Sequence, residues 1–139
     1  MKKNKGFLGL IYNYTGYPML RVLKEKIEEN VLGKIISINI EMPQEGYIRY
    51  TSKGAIPSVQ SWRLKDYEIP TISLDLGVHL HNIIAFLINE KPIKVTATEN
   101  SFGFFKGLID DVSCMIQYTN DINVKMWYSK SALGNRNRS

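Results

Sequence analysis

The sequence predicts an α+β fold in which helices pack on one face of a mainly antiparallel open sheet. Two helix-like stretches come early in the chain, while three strand-like stretches follow one another towards its end. With 139 residues and 44% hydrophobic side chains, the chain can form one domain with a real core and is too short for a two-domain enzyme. We therefore expect residues 1–139 to form a single domain.

The first predicted elements are a strand, a helix and a second strand. Residues 7–14 are rich in aromatic and β-branched side chains, which is typical of a buried strand. In residues 19–31, apolar side chains recur every three or four positions, so we expect an amphipathic helix with Pro18 at its start and a stop at Gly33. Residues 34–42 alternate apolar and polar side chains, as a half-buried strand does.

A long connection then leads to the main helix. Residues 44–70 show no sustained periodicity, and a loop of this length in a compact domain is usually functional or mobile. Its aromatic side chains could stack on a sugar ring or pin the loop, and the pattern leaves both open. Residues 72–89 carry a broad apolar stripe and are predicted as a helix, in which Gly77 allows close backbone packing.

The last part of the chain predicts three strands, at 92–99, 111–118 and 122–130, with a turn at Asn120-Asp121 between the last two. These strands carry apolar residues on both faces, and two helices can cover only one. We therefore expect the open sheet face to bind a second copy of the chain in a homo-oligomer. The side chains that suggest this are Ile122, Val124 and Met126 on one face and Trp127 on the other.

Charge and hydropathy exclude two classes of partner. The net charge is +5, but the excess lies in Lys2, Lys3, Lys5, Arg136 and Arg138, and without them the 13 remaining cations balance 13 acidic residues. A neutral body with basic ends lacks the positive patch of a nucleic-acid-binding surface. The sequence also has no apolar stretch of about 20 residues, so we expect no membrane partner.

The single cysteine, Cys114, excludes an internal disulfide framework and fits the cytoplasm. It lies in the middle of a predicted strand, where a small buried hydrophobic residue is expected.

One polar stripe interrupts the main helix. Asp75, His79 and Asn82 stand at i, i+4 and i+7, which places them on one side of a regular helix, whereas His81 points away. A carboxylate one turn from an imidazole can orient the ring for general acid/base catalysis, but the same spacing also fits a surface ion pair. Spacing alone leaves both interpretations open. With Glu90 the pair could bind a metal, yet two histidines and one thiol supply too few ligands, so we predict none.

The chain resembles the C-terminal domain of the Gfo/Idh/MocA oxidoreductases over nearly its whole length. No single segment is specific by itself, but five of them follow in register. They are Tyr12-Asn-Tyr-Thr-Gly-Tyr-Pro18, Leu32-Gly33-Lys34-Ile35, Ser61-Trp62-Arg63, Asp75-Leu-Gly-Val-His79 with Asn82, and Ile109-Asp110-Asp111 with the closing residues Ser129 to Asn137.

The resemblance implies the substrate and oligomerisation domain of an oxidoreductase that uses NAD or NADP and acts on sugars, inositols or related polyols. It implies that His79 handles the hydroxyl proton of the substrate, while Asp75 orients His79 or touches the substrate. Substrate-binding residues are then expected among Asn82, Tyr14, Trp62 and Arg63.

The sequence also departs from that family. The nucleotide-binding Rossmann domain is missing, and the sequence contains neither a Gly-x-Gly-x-x-Gly motif nor a P-loop. The segment Glu90-Lys91-Pro92 matches the family's catalytic lysine motif, but it follows a helix, so we interpret it as a coincidence. We expect a fragment that binds no cofactor and is inactive by itself. The alternative is a stand-alone binding or dimerisation module without catalytic activity.

Overall fold

The computed structural model describes residues 6–134 and has a four-stranded open sheet at its centre. In the order β1-β4-β3-β2, the pairs β2/β3 and β3/β4 are antiparallel, whereas β1 runs parallel to β4. This confirms the predicted α+β fold with a mainly antiparallel sheet. The strands are β1 (Ser37–Pro43), β2 (Pro92–Asn100), β3 (Asp111–Tyr118) and β4 (Asn123–Ser129).

Two α-helices pack against this sheet. Helix α1 spans Pro18–Glu28, and its first residue is the predicted proline. It ends earlier than the predicted 19–31 because Asn30 takes a left-handed conformation with φ 57°, which stops the helix. Helix α2 spans Val78–Leu87 and continues directly from a π-helical turn at Ser73–Gly77.

The core lies between α2 and one face of the sheet, which we call the covered face. The inward side chains of β3 and β4 alternate with exposed ones, as the period of two requires. Helix α1 and strand β1 close the core with half-buried side chains. The most deeply buried apolar residues are Leu80, Ile84, Val112, Val124 and Met126.

The opposite face, which we call the open face, is largely polar. Here Lys125 and Gln117 are exposed, and the apolar exceptions are Met115, which is 64% exposed, and the half-buried Trp127. The prediction that both faces are apolar is therefore wrong for most of the open face. The helices also leave β2 uncovered, because residues 92–99 are exposed along their whole length.

The predicted first strand at 7–14 is wrong. Residues 6–12 have no regular structure, and four apolar side chains of this segment are between 71% and 97% exposed. The apolar composition favours a strand only where a neighbouring strand can pair with it. Among residues 6–134 the segment pairs with none of the four strands. The basic ends that carry the charge excess (Lys2, Lys3, Lys5, Arg136 and Arg138) lie outside the described residues.

Candidate active site

The helical segment that carries the predicted polar stripe begins at Thr71, where a side chain of the preceding loop caps it. The Asp66 carboxylate accepts a hydrogen bond from the Thr71 N–H at 2.7 Å, and its other oxygen accepts one from the Ile109 N–H at 2.7 Å. A carboxylate at a helix N-terminus accepts a hydrogen bond from a free backbone N–H and interacts favourably with the helix dipole. Asp66 thus fixes the start of the segment relative to the loop before β3.

The π-helical turn forms where this segment meets Tyr128 of β4. The hydroxyl groups of Tyr128 and Ser73 are 2.9 Å apart and share a hydrogen bond. Gly77 lies so close to the ring that a Cβ there would be 3.1 Å from Cζ of Tyr128. Gly77 thus allows the close approach that the sequence suggested, since a Cβ at this position would crowd the Tyr128 ring.

Asp75 lies in the π-helical turn and forms ion pairs with two cations. Arg63 binds it through two parallel hydrogen bonds, from Nε to Oδ2 and from Nη2 to Oδ1, both 3.0 Å long. Lys130 Nζ approaches Oδ2 at 2.7 Å. Burial would by itself raise the pKa of Asp75, but the hydrogen bonds from Arg63 and Lys130 outweigh it and lower the pKa below its usual value. Asp75 is thus a fixed anion at neutral pH.

Arg63 and its neighbour Trp62 bring the long loop into the site. They belong to a 3₁₀ turn at Ser61–Leu64, the one helical turn within the predicted 44–70 loop. The guanidinium of Arg63 stacks on the ring of Trp62 at 4.6 Å, and both side chains donate to Oε1 of Gln60 at 3.0 Å. Since Trp62 remains 50% exposed, one part of its ring faces solvent beside the Asp75 ion pair.

His79 and Asn82 form a second group on the same helical segment. The His79 ring has edge contacts with Tyr14 and Tyr12, at centroid distances of 5.0 and 6.0 Å. Its Nδ1 atom and Oδ1 of Asn82 are buried and have no hydrogen-bond partner within residues 6–134. His81 is exposed, in line with its predicted direction away from His79.

The structure thus divides the predicted Asp75/His79/Asn82 stripe. The Asp75 carboxylate accepts two hydrogen bonds from Arg63 and forms an ion pair with Lys130, and among residues 6–134 it has no hydrogen bond with His79. Asp75 lies within the π-helical turn, whereas His79 and Asn82 lie in α2. The interpretation as a plain helix-surface ion pair is also incomplete, since Asp75 pairs with distant parts of the chain.

Sequence reasoning missed Lys130 and Tyr128. Tyr128 continues the inward alternation of Val124 and Met126, and Lys130, which follows directly after β4, is only 7% exposed. A buried ammonium group is costly unless it is paired, so a lysine at an inward position of the predicted strand 122–130 was the available signal.

Two further sequence features have structural explanations. Glu90 accepts hydrogen bonds from Thr119 and Asn120 and so supports the β3–β4 turn, which fits the interpretation of the Glu90-Lys91-Pro92 match as a coincidence. Cys114 is buried, as predicted. Within residues 6–134 there is no cluster of three potential metal ligands, and no helix there is long and apolar enough to span a membrane.

A family model for the GFO/IDH/MocA C-terminal domain matches residues 20–139. A comparison with curated proteins gives no match. Among solved structures, the fold is similar to levoglucosan dehydrogenase in complex with NADH, with a TM-score of 0.76 and 20% identity over 95% of this chain and 36% of that one.

Two further structures show the same fold. An inositol dehydrogenase homolog from Azotobacter vinelandii, in complex with NADH and myo-inositol, has a TM-score of 0.75 and 17% identity over 91% of this chain and 32% of that one. For an aldose-aldose oxidoreductase from Caulobacter crescentus, in complex with glycerol, the values are 0.74 and 16%, over 94% and 37%. The chain therefore spans about a third of the length of the structures it matches.

Proposed function

Because the chain belongs to the GFO/IDH/MocA family as a C-terminal domain, we propose that residues 1–139 form one domain that supplies the substrate side of an oxidoreductase. The substrates would be sugars, inositols or related polyols, the hydride acceptor NAD or NADP, and the location the cytoplasm. The complexes of related folds with NADH, myo-inositol and glycerol support this choice. The family match identifies no individual residues, so we assign their roles from the geometry of the site.

The observation that carries the proposal is a fixed carboxylate, Asp75, four residues before a histidine on the same helical segment. Asp75 is held as an anion by Arg63 and Lys130, and His79 follows four residues later between the rings of Tyr12 and Tyr14. Oxidation of an alcohol to a carbonyl releases a hydride and the hydroxyl proton. In this proposal His79 accepts that proton, and the Asp75 carboxylate touches the substrate by accepting a hydrogen bond from one of its hydroxyl groups.

The neighbouring side chains would bind the rest of a polyol. Asn82 and Tyr14 flank His79, while Trp62 and Arg63 flank Asp75. An aromatic ring with one exposed face beside fixed polar groups is suited to stacking on a sugar ring. We assign these four residues to substrate binding.

Nicotinamide, when bound by the complete enzyme, supplies the hydride acceptor. This chain has no glycine-rich phosphate-binding motif, so the residues present do not fit a dinucleotide. We therefore assign the cofactor to a separate Rossmann domain and propose that residues 1–139 alone neither bind it nor catalyse the reaction.

We also propose that the open face forms a homo-oligomer contact. Met115 lines two shallow grooves of about 430 and 240 Å³ on this face, and the polar side chains of Lys94, Gln117 and Lys125 stand around it. An exposed methionine between polar side chains resembles the apolar centre and polar rim of a protein interface.

A non-catalytic binding or dimerisation module remains the second candidate. The observation in its favour is the absence of a nucleotide-binding motif from this sequence, together with the structural use of Glu90 in the motif that would otherwise supply a catalytic lysine.

The test uses the protein with its nucleotide-binding domain attached, assayed with NAD and NADP on myo-inositol and a panel of pyranoses. His79→Ala removes the proton acceptor, and we expect turnover to fall about 10²- to 10⁴-fold while cofactor affinity is unchanged. His81→Ala is the matched control, because its side chain is exposed on the other side of α2. Equal losses in both variants, or normal turnover in His79→Ala, would contradict the proposal.

A further inference from the structure

The carboxyl-terminal end of β4 and the residue after it present two side chains to the turn that carries Asp75. Tyr128 in β4 and Lys130 just beyond it are 4% and 7% exposed, and both contact the helical segment on the covered face. Tyr128 contacts the first and the last residue of the π-helical turn, namely Ser73 by a hydrogen bond and Gly77 by its ring. Lys130 contacts Asp75 between them.

The backbone of Lys130 is fixed from both sides. Its N–H donates to the carbonyl oxygen of Asp110 at 2.8 Å, and its own carbonyl accepts from the Tyr47 N–H at 2.8 Å. Its ammonium group lies over the Tyr47 ring at 5.6 Å and within 3.5 Å of Oε1 of Gln44. The Lys130 side chain therefore extends from a backbone that is fixed by hydrogen bonds. Within residues 6–134, Asp75 is its only ion-pair partner.

Arg63 and Lys130 differ in how firmly they can hold the carboxylate. The Arg63 side chain is 30% exposed, comes from a loop and also binds Gln60, whereas the Lys130 side chain is 9% exposed and comes from the sheet. A charge pair that is shielded from water is screened less by solvent and salt. The ion pair with Lys130 should therefore add to the two hydrogen bonds from Arg63 and be weakened less by salt.

We propose that Lys130 is a positioning residue, which fixes the carboxylate of Asp75 from the sheet side so that it stays ionised and aimed at the substrate site. Tyr128 supports this by holding the π-helical turn against the same strand. The statement that Asp75 faces a substrate rests on the proposed function. The statement that Lys130 fixes Asp75 concerns this chain alone and can be tested without an activity assay.

The experiment is a pH titration of the Asp75 carboxyl group by ¹³C NMR on residues 1–139, from about pH 7 to about pH 3. In the unmodified chain Asp75 should stay ionised through most of this range, because burial, which raises its pKa, is outweighed by Arg63 and Lys130. In Lys130→Met the midpoint should rise by about one pH unit or more, since an adjacent opposite charge typically lowers an aspartate pKa by about 1–3 units. Near-UV circular dichroism at each pH verifies that the variant remains folded.

Lys125→Met is the matched control. It removes the same charge five residues earlier, within β4 and on the open face, where Lys125 is exposed. Its Asp75 midpoint should equal that of the unmodified chain. Lys130→Gln keeps a hydrogen-bond donor without the charge, and its midpoint should rise as well, which covers the case in which the methionine variant does not fold.

An unchanged midpoint in the folded Lys130 variants, or an equal rise in Lys125→Met, would overturn the proposal. A failure of the proposed function gives a different result, because the Asp75 midpoint would still depend on Lys130 while His79→Ala left turnover unaffected. If the acidic limb of the pH–activity profile of the complete enzyme also moved to higher pH in Lys130→Met, the ionisation of Asp75 would be linked to turnover.

Discussion

The covered and open faces of the sheet come from the same strands, yet they differ in almost every property. On β4, Val124, Met126 and Tyr128 are buried, whereas Lys125 between them is exposed. Lys130 follows directly after this strand and belongs to the candidate site. The alternation along β4 therefore contributes to the core and leads into the candidate site, because Lys130, directly after the buried side chains of β4, pairs with Asp75 on the facing helical segment.

The largest expected difference between the covered and the open face is in the cost of truncating a methionine on each of two neighbouring strands. Met126→Ala removes a side chain that is 2% exposed on the covered face and should lower the free energy of unfolding by about 2–5 kcal/mol. Met115→Ala changes a side chain that is 64% exposed on the open face and should change it by no more than about 0.5 kcal/mol. Urea denaturation measures both, and similar costs would mean that the faces are not distinct.

The next effect concerns alkaline pH. Burial raises the pKa of Tyr128 to about 12, so the folded state keeps its proton where the unfolded chain, with a pKa near 10, loses it. This contribution to stability is fully present below about pH 10 and is lost as the pH rises to about 12. Tyr128→Phe should therefore lose less stability over this range than the unmodified chain does.

Tyr67→Phe is the control for the alkaline effect, since Tyr67 is 68% exposed. The free energy of unfolding, measured by urea denaturation at several pH values between 8 and 12, should fall as steeply in Tyr67→Phe as in the unmodified chain. An equally steep fall in Tyr128→Phe would show that this tyrosine does not report the covered face.

The smallest expected effect on folding comes from the open face. Met115→Lys should weaken self-association because it places a charge in the lining of both grooves, while the free energy of unfolding of the monomer changes by no more than about 0.5 kcal/mol. Sedimentation velocity over a concentration series measures the association. Ser58→Lys, at an exposed loop position, is the control. A monomeric unmodified chain at micromolar concentration would contradict the proposed interface.

Strong periodicity made most elements predictable. The predicted strand 111–118 has the bounds of β3, and the predicted strands 34–42, 92–99 and 122–130 differ from the structure by a few residues at most. Helix α2 was also expected, but its π-helical first turn was not, because that turn depends on the contact between Gly77 and Tyr128.

Contacts between distant parts of the chain were beyond the sequence pattern. Asp75, Arg63 and Trp62 were expected at the site, and the structure brings these three together. Their pairing with Lys130 was not visible, because nothing local links Asp75 to the end of the last strand. The assignment of His79 and Asn82 to catalysis and substrate binding stays a prediction.

The parallel pairing of β1 with β4 has a consequence for how this chain folds. Strands β2, β3 and β4 follow one another, so their antiparallel pairs require only short loops to close, whereas Ser37 must find Asn123 across most of the chain. Closing a long loop costs more entropy, and non-local pairing slows folding. During synthesis β1 leaves the ribosome long before its neighbour exists, so the three-stranded meander should form first and β1 should join it in the final, rate-limiting step.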